Sequence, residues 1–527
     1  MPQPSEKLAE SLAALQMLQE RGVVAIRSKD LSRTHRERLR RNGFLQQITK
    51  GWYIPARPDG MVSESGAWYA AYWPFCSAYL THRFDRAWCL SPEQSLLLHA
   101  GNWRVPRQLL VRAPAKARNN VTALPHGTSL LDVRTAIPPE QDLVEREGLR
   151  LFSLPAALVA CGPTAFRQNP IDLRTALAMV RDASEVLDRL LEGGHSTIAG
   201  RLTGAFRNIG RKRIADDILA AMRAAGYTVR VDNPFESEPV LVLPARQVSP
   251  HVNRIRLMWH AMRGPVAAGF PAPSGLPSNK KAYLKRVEDA YVTDAYHSLS
   301  IEGYRVSPEL IDRVRAGDWN PEHEEDDRGH RNALAARGYW QAHQAVRKSV
   351  ERVLDGEDAG AVVDDDHGAW YRELFGPSVS AGIIRAADLA GYRNDAVFIR
   401  GSMHVPPRVE AVRDGMPAYF DLLREETDPA VRAVLGHFVF VYIHPYMDGN
   451  GRMGRFLMNV MLAAGGYPWT VIPVERRDAY MTALEAASVE QNIIPFTEFF
   501  AELVSKGLAG RGPPRVPKAS SVRRGRS

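Results

Sequence analysis

The chain of 527 residues is poor in cysteine and has no long apolar run. Its cysteines, Cys76, Cys89 and Cys161, are too few for a disulfide framework and form no CxxC metal pattern, which favours a reducing, cytoplasmic setting. The most apolar stretch, residues 66–80, contains Pro74 and is shorter than the roughly 20 residues of a membrane span. The N-terminus lacks the pattern of a secretory signal. We therefore expect no membrane partner.

The composition is that of a globular protein with a surplus of basic residues. Lysine and arginine number 68 against 59 aspartates and glutamates, a net charge of +9. A chain of this length exceeds one hydrophobic core, so we expect a multidomain, mainly α-helical protein. The predicted parts are a winged helix-turn-helix at 1–58, a mixed α+β region at 59–245, a linker at 246–281, an all-α domain at 282–510 and a basic disordered tail at 511–527.

The region at 1–58 shows the element order of a winged helix-turn-helix. A helix is predicted from Ser32, a good N-cap, to the stop signal Asn42-Gly43, and two short strands follow it. Arginines spaced i, i+3 and i+7 share one face of this helix: Arg33, Arg36 and Arg40. We interpret that face as DNA-binding, with the hairpin as the wing. A solvated basic helix and a protein-interaction module remain alternatives.

The same region resembles a known family. KDLSRTHRERLRRNGFLQQITKGWYIP followed by CLSPEQSLLLHAGNW is similar to the AbiEi-type antitoxins of type IV toxin–antitoxin systems. The resemblance implies a DNA-binding winged helix that continues into a larger mixed domain, with the DNA-reading helix at residues 32–41. Residues 59–245 show no catalytic constellation. We therefore expect the chemistry in the second half of the chain.

Residues 444–455, HPYMDGNGRMGR, join two apolar segments and carry groups suited to phosphate chemistry. Pro445 ends the preceding helix, which leaves His444 at a helix end where its ring can face a cleft and act as a base. Asp448 lies just ahead of the glycine-rich turn, and a carboxylate beside bound phosphates is the usual protein ligand of Mg²⁺.

The second half of this stretch supplies an anion site. Gly449, Asn450 and Gly451 allow backbone N–H groups to converge at the start of the next helix, where they favour a bound anion. Arg452 and Arg455 are spaced i, i+3 on the first turn and can grip the oxygens of a polyphosphate. Each feature alone is common, but their conjunction in twelve residues favours a functional loop over a bland turn.

HPYMDGNGRMGR resembles the motif HPFx(D/E)GNGRxxR of the Fic family, whose core is all-α and whose members mostly transfer AMP from ATP to a hydroxyl of a target protein. The resemblance implies that His444 is the general base and that Asp448 holds Mg²⁺ between the α- and β-phosphates. It implies that Arg452 contacts the β-phosphate and Arg455 the γ-phosphate. The implied anion hole consists of Gly449, Asn450 and Gly451, with Asn450 also fixing the α-phosphate. Tyr446 replaces the usual phenylalanine.

GYRNDAVFIRGSMHVPPRVEAV, residues 391–412, resembles the flap hairpin of the Fic family. Its β-prone run predicts a strand at 396–399. The edge of such a strand can pair with a peptide of the target and present a Ser, Thr or Tyr hydroxyl to His444. The expected target-docking residues of the flap are Val397, Phe398 and Ile399.

SLSIEG ends a predicted helix at about 282–303 and fits the inhibitory motif (S/T)xxxE(G/N) of Fic proteins. Ser298 and Glu302 are i, i+4 and share one helix face, and Gly303 completes the motif. The motif precedes the core, as in the subclass with an N-terminal inhibitory helix. The resemblance implies that Glu302 pairs with Arg455 and keeps it from the γ-phosphate of ATP.

Together these patterns predict a cytoplasmic protein adenylyltransferase that uses ATP and Mg²⁺, is autoinhibited, and has a DNA-binding N-terminal half. The alternative is a DNA-binding regulator or antitoxin whose Fic half is silent or transfers another group. Relatives transfer UMP, phosphate or phosphocholine, and the motif contacts phosphates rather than the base. The sequence leaves open the target protein, the DNA site and whether the chain forms a homodimer.

Overall fold

A computed structural model describes residues 4–56, 58, 65–115, 117–236, 249–317 and 331–516. Contacts divide the chain into two units, Met1–Arg254 with Val397–Pro407, and Ile255–Ala396 with Arg408–Ser527. Over the described ranges no helix has both the length and the hydropathy that crossing a membrane requires. The three cysteines are buried and free.

The first unit combines helices with small sheets. Its described helices are α1 Pro4–Glu20, α2 Arg33–Arg41, α3 Gly66–Phe84, α4 Pro92–His99, α5 Leu154–Ala160, α6 Pro163–Gln168, α7 Pro170–Ala178, α8 Ser184–Glu192, α9 Ser196–Asn208 and α10 Lys212–Ala224, with a 3₁₀ helix at Glu140–Asp142. Its strands are β1 Ile26–Arg27, β2 Leu45–Thr49, β3 Trp52–Pro55, β4 Cys89–Leu90, β5 Gln108–Arg112, β6 Asn120–Ala123, β7 Ser129–Val133, β8 Leu143–Arg146 and β9 Leu149–Phe152. The sheet orders are β1-β3-β2, β4-β5-β7-β6 and β8-β9.

The helix and hairpin predicted near the N-terminus are present. Ser32 caps α2, since its Oγ accepts a hydrogen bond from the backbone N–H of His35 at 3.2 Å, and α2 ends at Arg41, just before Asn42. The β2 and β3 strands pair antiparallel. Leu39 of α2 is fully buried in a cluster shared with α1 and the strands. The predicted helix and hairpin are thus present, and the strand β1 lies between α1 and α2 in addition.

The second unit is helical throughout its described residues. Its helices are α11 Pro250–Gly269, which starts in the first unit, α12 Lys280–Ile301, α13 Pro308–Ala316, α14 Arg331–Leu354, α15 Ala359–Ser380, α16 Val409–Glu425, α17 Pro429–Ile443, α18 Asn450–Ala464, α19 Arg477–Val489 and α20 Ile494–Leu508. Short 3₁₀ helices lie at Ala386–Leu389 and Val474–Arg476. The α17 and α18 helices are buried on nearly every side, which is expected for the largely apolar α17.

The linker expected at 246–281 is wrong over most of its described length. Residues 250–269 form α11, and the second unit begins at Ile255 rather than at 282. Ile255, Trp259 and Met262 of this helix are almost completely buried. Their helical spacing is the physical reason, because it forms an apolar stripe despite the glycines and prolines around it.

The strand expected at 396–399 is also absent. These residues have no assigned secondary structure, and the chain turns immediately afterwards, where the N–H of Ser402 donates to the carbonyl of Ile399 at 3.2 Å. A strand needs a neighbour for its ladder, and no pairing of this segment occurs among the described residues. Most of the tail expected at 511–527, from residue 517 on, lies outside the described residues.

Candidate active site

His444 lies at the C-terminal end of α17 in the left-handed conformation, with φ of 54°. Its Nδ1 is 3.2 Å from the carbonyl oxygen of Val441. A carbonyl can only accept, so Nδ1 carries the proton of the neutral ring and Nε2 is left as the acceptor. Burial lowers the pKa of His444 to about 4. The imidazole is therefore neutral at physiological pH and has a lone pair available on Nε2.

The loop after His444 is fixed from two sides. Inside it, Asn450 Oδ1 accepts from the N–H of Tyr446 at 2.9 Å, and Asn450 Nδ2 donates to the Tyr446 carbonyl at 2.8 Å. Outside it, Arg393 donates from Nε to the His444 carbonyl at 2.9 Å and from its backbone N–H to the Pro445 carbonyl at 2.8 Å. These four bonds define the loop conformation.

Tyr446, which stands where the Fic motif has phenylalanine, anchors the loop by stacking. Its ring lies parallel to that of Tyr371, with centroids 3.8 Å apart and planes inclined by 8°. Only 2% of Tyr446 is exposed. The larger ring is thus accommodated within the core beside the loop.

Two glycines shape the N-terminus of α18, and at one of them the Glu302 carboxylate comes close to the helix. Gly449 has φ of +82°, and a Cβ there would lie 2.7 Å from a ring carbon of Phe375, so glycine is required on two grounds. Gly451 has no such strain, but a Cβ on it would lie 2.3 Å from Glu302 Oε1. The missing side chain lets the Glu302 carboxylate approach the first turn of α18, whose N–H groups have no partner within the helix.

Arg452 is 1% exposed and lies between two rings, 4.9 Å from that of Phe375 and 5.2 Å from that of Tyr304. Its Nη2 is 3.3 Å from Asp448 Oδ2, and its Nε has no hydrogen-bond partner within the described residues. Stacking positions the guanidinium. The buried Nε is an unused donor beside the anion site.

Asp448 is the acidic residue of the loop. Its side chain is 59% exposed, and its Oδ1 accepts from the N–H of Gly449 at 2.6 Å. Groups of three or more metal-ligating side chains are absent from the described residues. One exposed carboxylate fits Mg²⁺, which binds through one or two carboxylates together with substrate phosphates and water.

Arg455 is bound to the end of α12. Its Nε donates to Ser298 Oγ at 2.8 Å, and its Nη2 donates to the Ser298 carbonyl at 3.1 Å and to Glu302 Oε1 at 2.7 Å. Burial would raise the pKa of Glu302, but the charges of Arg455 and Arg452 outweigh it and hold that pKa below its usual value. Glu302 is therefore an anion at neutral pH, paired with an arginine whose side chain is only 4% exposed.

The α12 helix ends in a way that presents Glu302 to Arg455. Glu302 is the C-cap, and Gly303 follows with φ of +85°. The N–H of Gly303 bonds to the Ser300 carbonyl, and the N–H of Tyr304 bonds to the Leu299 carbonyl, both at 3.0 Å. This is a Schellman-type ending that requires a left-handed residue at Gly303.

The three arginines predicted to read DNA lie on α2, but two of them have partners within the first unit. Arg33 pairs with Glu37 at 2.7 Å. Arg36 donates to the carbonyls of Ser28 and Leu31. Arg40 is exposed.

The expected target-docking residues of the flap, Val397, Phe398 and Ile399, belong to the first unit. Phe398 is 42% exposed.

Some residues at the site were not found from the sequence. Arg393 and Tyr304 act through a backbone contact and a ring face, for which no local pattern exists. Asp294 is buried on α12 and bonded to Tyr339. It lies four residues before Ser298, so extending the i, i+4 spacing backward would have identified it.

Comparison with known proteins identifies one part of the C-terminal region. Residues 366–462 match the Fic/DOC family. Proteins from Drosophila willistoni and Drosophila virilis, both named protein adenylyltransferase Fic, are 38% and 37% identical over 121 residues, which span 22% of this chain and only 24% of each relative. The solved structure of Fic-1 from C. elegans is 19% identical, with a TM-score of 0.36, and covers 65% of this chain and 97% of its own. The C-terminal region thus contains a Fic domain.

Proposed function

We propose that the protein transfers AMP from ATP to a hydroxyl of a target protein and that Glu302 inhibits this reaction. The observation that carries the proposal is the position of the Glu302 carboxylate. It lies 2.7 Å from Arg455 Nη2 and against Gly451 at the start of α18, where the motif would place polyphosphate. A carboxylate of the protein itself thus occupies the position that the phosphates of ATP need, and this would inhibit the reaction.

In the proposed reaction the target hydroxyl oxygen attacks the α-phosphorus of ATP. His444 Nε2 takes the hydroxyl proton as the new P–O bond forms. The bond from the α-phosphorus to the bridging oxygen breaks, and pyrophosphate leaves. Arg452 and the first turn of α18 stabilise the charge on the phosphates, and Asp448 would hold Mg²⁺, which neutralises phosphate charge when bound.

Glu302 would inhibit the reaction by competing with the γ-phosphate of ATP for Arg455. Arg455 bound to Glu302 is unavailable to the γ-phosphate, and the carboxylate repels an incoming phosphate. ATP that binds in this state is misplaced for in-line attack. Withdrawal of Glu302 would free Arg455 and the N-terminus of α18 together.

The proposal is tested by measuring the intact mass of the Glu302→Gly chain after incubation with Mg²⁺ and each nucleoside triphosphate in turn. A gain of one AMP from ATP alone, much larger than in the unmodified chain, is expected. Addition of His444→Ala should abolish the gain. Equal modification with and without Glu302 would reject the brake, and a gain of UMP or phosphate would reassign the transferred group.

We propose in addition that the N-terminal unit binds DNA through α2, supported by the exposed Arg40 and by the basic character of residues 33–41. Because Arg33 and Arg36 have partners within the unit, Arg40 carries most of this role. A salt-dependent mobility shift of duplex DNA tests it. No shift at low salt would remove DNA from the proposed function.

A further inference from the structure

One face of α12 carries three functional groups in succession. Asp294, Ser298 and Glu302 are spaced i, i+4, i+8, so they lie in one row along the helix. Ser298 and Glu302 bind Arg455 directly. Asp294 is buried like Ser298, with 3% of its surface exposed, and the proposed inhibition gives it no role.

Asp294 is connected to the Arg455 segment through α14. The hydroxyl of Tyr339 donates to Asp294 Oδ2 at 2.8 Å. The Tyr339 ring packs on that of Phe456, the residue after Arg455, with centroids 4.8 Å apart. Tyr339 is fully buried. The carboxylate, the phenol and the backbone of α18 therefore form one packed unit behind Arg455.

Asp294 lies one helical turn before Ser298, which binds Arg455. Burial raises the pKa of Asp294 to about 6, with the Tyr339 hydroxyl and the Arg455 charge opposing the rise. The carboxyl is thus mostly ionised at pH 7.5, although no bulk water reaches it. A buried anion persists only where a cation balances it, and Arg455 supplies that balance.

We propose that Asp294 is a positioning residue, a fixed second counter-charge that keeps Arg455 in place when the Glu302 carboxylate withdraws and ATP enters. Glu302 is 26% exposed on its side chain and ends its helix, whereas Asp294 lies inside α12 and is bonded to Tyr339. One anion can leave and the other cannot. This inference rests on the proposed function, in which Arg455 binds the γ-phosphate of ATP.

The consequence is selectivity for ATP over ADP. Two helical turns, about 12 Å along the axis, separate Asp294 from Glu302, so the Asp294 charge repels a phosphate near Glu302 only weakly. Its effect on the order of the Arg455 guanidinium is stronger, because a buried arginine without a counter-charge shifts toward other partners. Loss of that order weakens contacts to the γ-phosphate, which ADP lacks.

The test measures Kd for ATP and for ADP by calorimetry with Mg²⁺, in the full chain carrying Glu302→Gly and His444→Ala, which cannot turn over the nucleotide. We expect this parent to prefer ATP, and addition of Asp294→Asn to lower the ratio of Kd for ADP to Kd for ATP by about tenfold. The matched control is Asp289→Asn on the same helix, whose side chain is 60% exposed and pairs with Lys285. It should leave the ratio unchanged.

General damage to the fold would weaken the binding of both nucleotides equally. If the Asp294 charge acted only by repelling phosphate, its removal would strengthen the binding of ATP at least as much as that of ADP. An unchanged or increased ratio in Asp294→Asn therefore overturns the proposal while the proposed function stands. A parent chain that binds neither nucleotide overturns both. If Asp294→Asn does not fold, Tyr339→Phe removes the hydroxyl that holds Asp294 and should lower the ratio in the same direction.

Discussion

His444 is held at a helix end with its imidazole partly buried, which controls its protonation. Burial favours the neutral ring and lowers its pKa to about 4, against about 6.5 for an ordinary histidine. A base is active only when unprotonated, so activity is lost only as the pH falls through the lowered pKa. We predict that kcat/KM of the chain carrying Glu302→Gly and Asp294→Asn changes little from about pH 8 to about pH 5.5, because this ratio reports the free enzyme and the second substitution removes the carboxyl whose pKa is about 6.

The pH profile is measured as initial rates of AMP incorporation at limiting ATP. Melting curves at each pH serve as the control for loss of folded protein. A fall in rate centred near the ordinary histidine value of about 6.5, with the melting temperature unchanged, would contradict this account of His444.

Single residues also show what the sequence could and could not provide. The motif places His444, Asp448 and Arg455 on one stretch of the chain because it fixes their order, and their catalytic roles are proposals. Arg393, which fixes the His444 carbonyl, is 51 residues away from it in sequence. Its role depends on which backbone atoms the fold brings to its guanidinium, and no spacing rule reports that.

At the scale of elements, the ending of α12 decides where Glu302 points. Gly303 has φ of +85° with nothing near its Cβ position, so Gly303→Ala adds strain without a clash. Left-handed backbone costs an alanine about 1–2 kcal/mol. That strain penalises the inhibited state, and we predict a rise in basal auto-AMPylation of about five- to thirtyfold.

The matched control for Gly303→Ala lies on the next helix. Gly317 ends α13 with φ of +84° and also has open space at its Cβ position. Gly317→Ala should therefore cost similar stability and leave basal AMP transfer unchanged. Equal basal rates in the two variants would show that the end of α12 does not set the brake.

On α2, Arg36 stabilises the fold, whereas Arg40 is exposed and can bind a partner. Arg36 donates to two main-chain carbonyls, so Arg36→Ala should lower the melting temperature. Arg40 is exposed, so Arg40→Ala should leave stability unchanged, weaken DNA binding, and reduce the slope of log K against log salt by about one. Electrophoretic shifts over a salt series measure the slope. Identical slopes for Arg40→Ala and the unmodified chain would exclude this contact.

At the scale of the whole molecule, the helical character of the second unit was predictable, but its beginning was not. Glycines and prolines at 264–276 suggested a linker, yet α11 continues through Pro265. Proline is tolerated where neighbours compensate for the lost hydrogen bond, and the apolar stripe upstream provides buried area that composition alone does not show. The expected flap strand is wrong for the opposite reason, since the β-prone residues at 396–399 have no partner strand within the described part of the chain.

Substitutions at two residues of the expected linker test whether this segment is a packed helix or a linker. Trp259 is 1% exposed, and its Nε1 donates to Glu426 Oε2 at 3.4 Å. Leu276 is 49% exposed. Trp259→Ala should cost about 3–5 kcal/mol, whereas Leu276→Ala should stay within about 0.5 kcal/mol of the unmodified chain. Calorimetry with and without ATP tests this, because the transition that ATP raises should be the one that Trp259→Ala lowers. If Trp259→Ala leaves the temperatures of all transitions unchanged, the segment is a linker after all. If it lowers a transition whose temperature ATP does not change, α11 does not belong to the unit that binds the nucleotide.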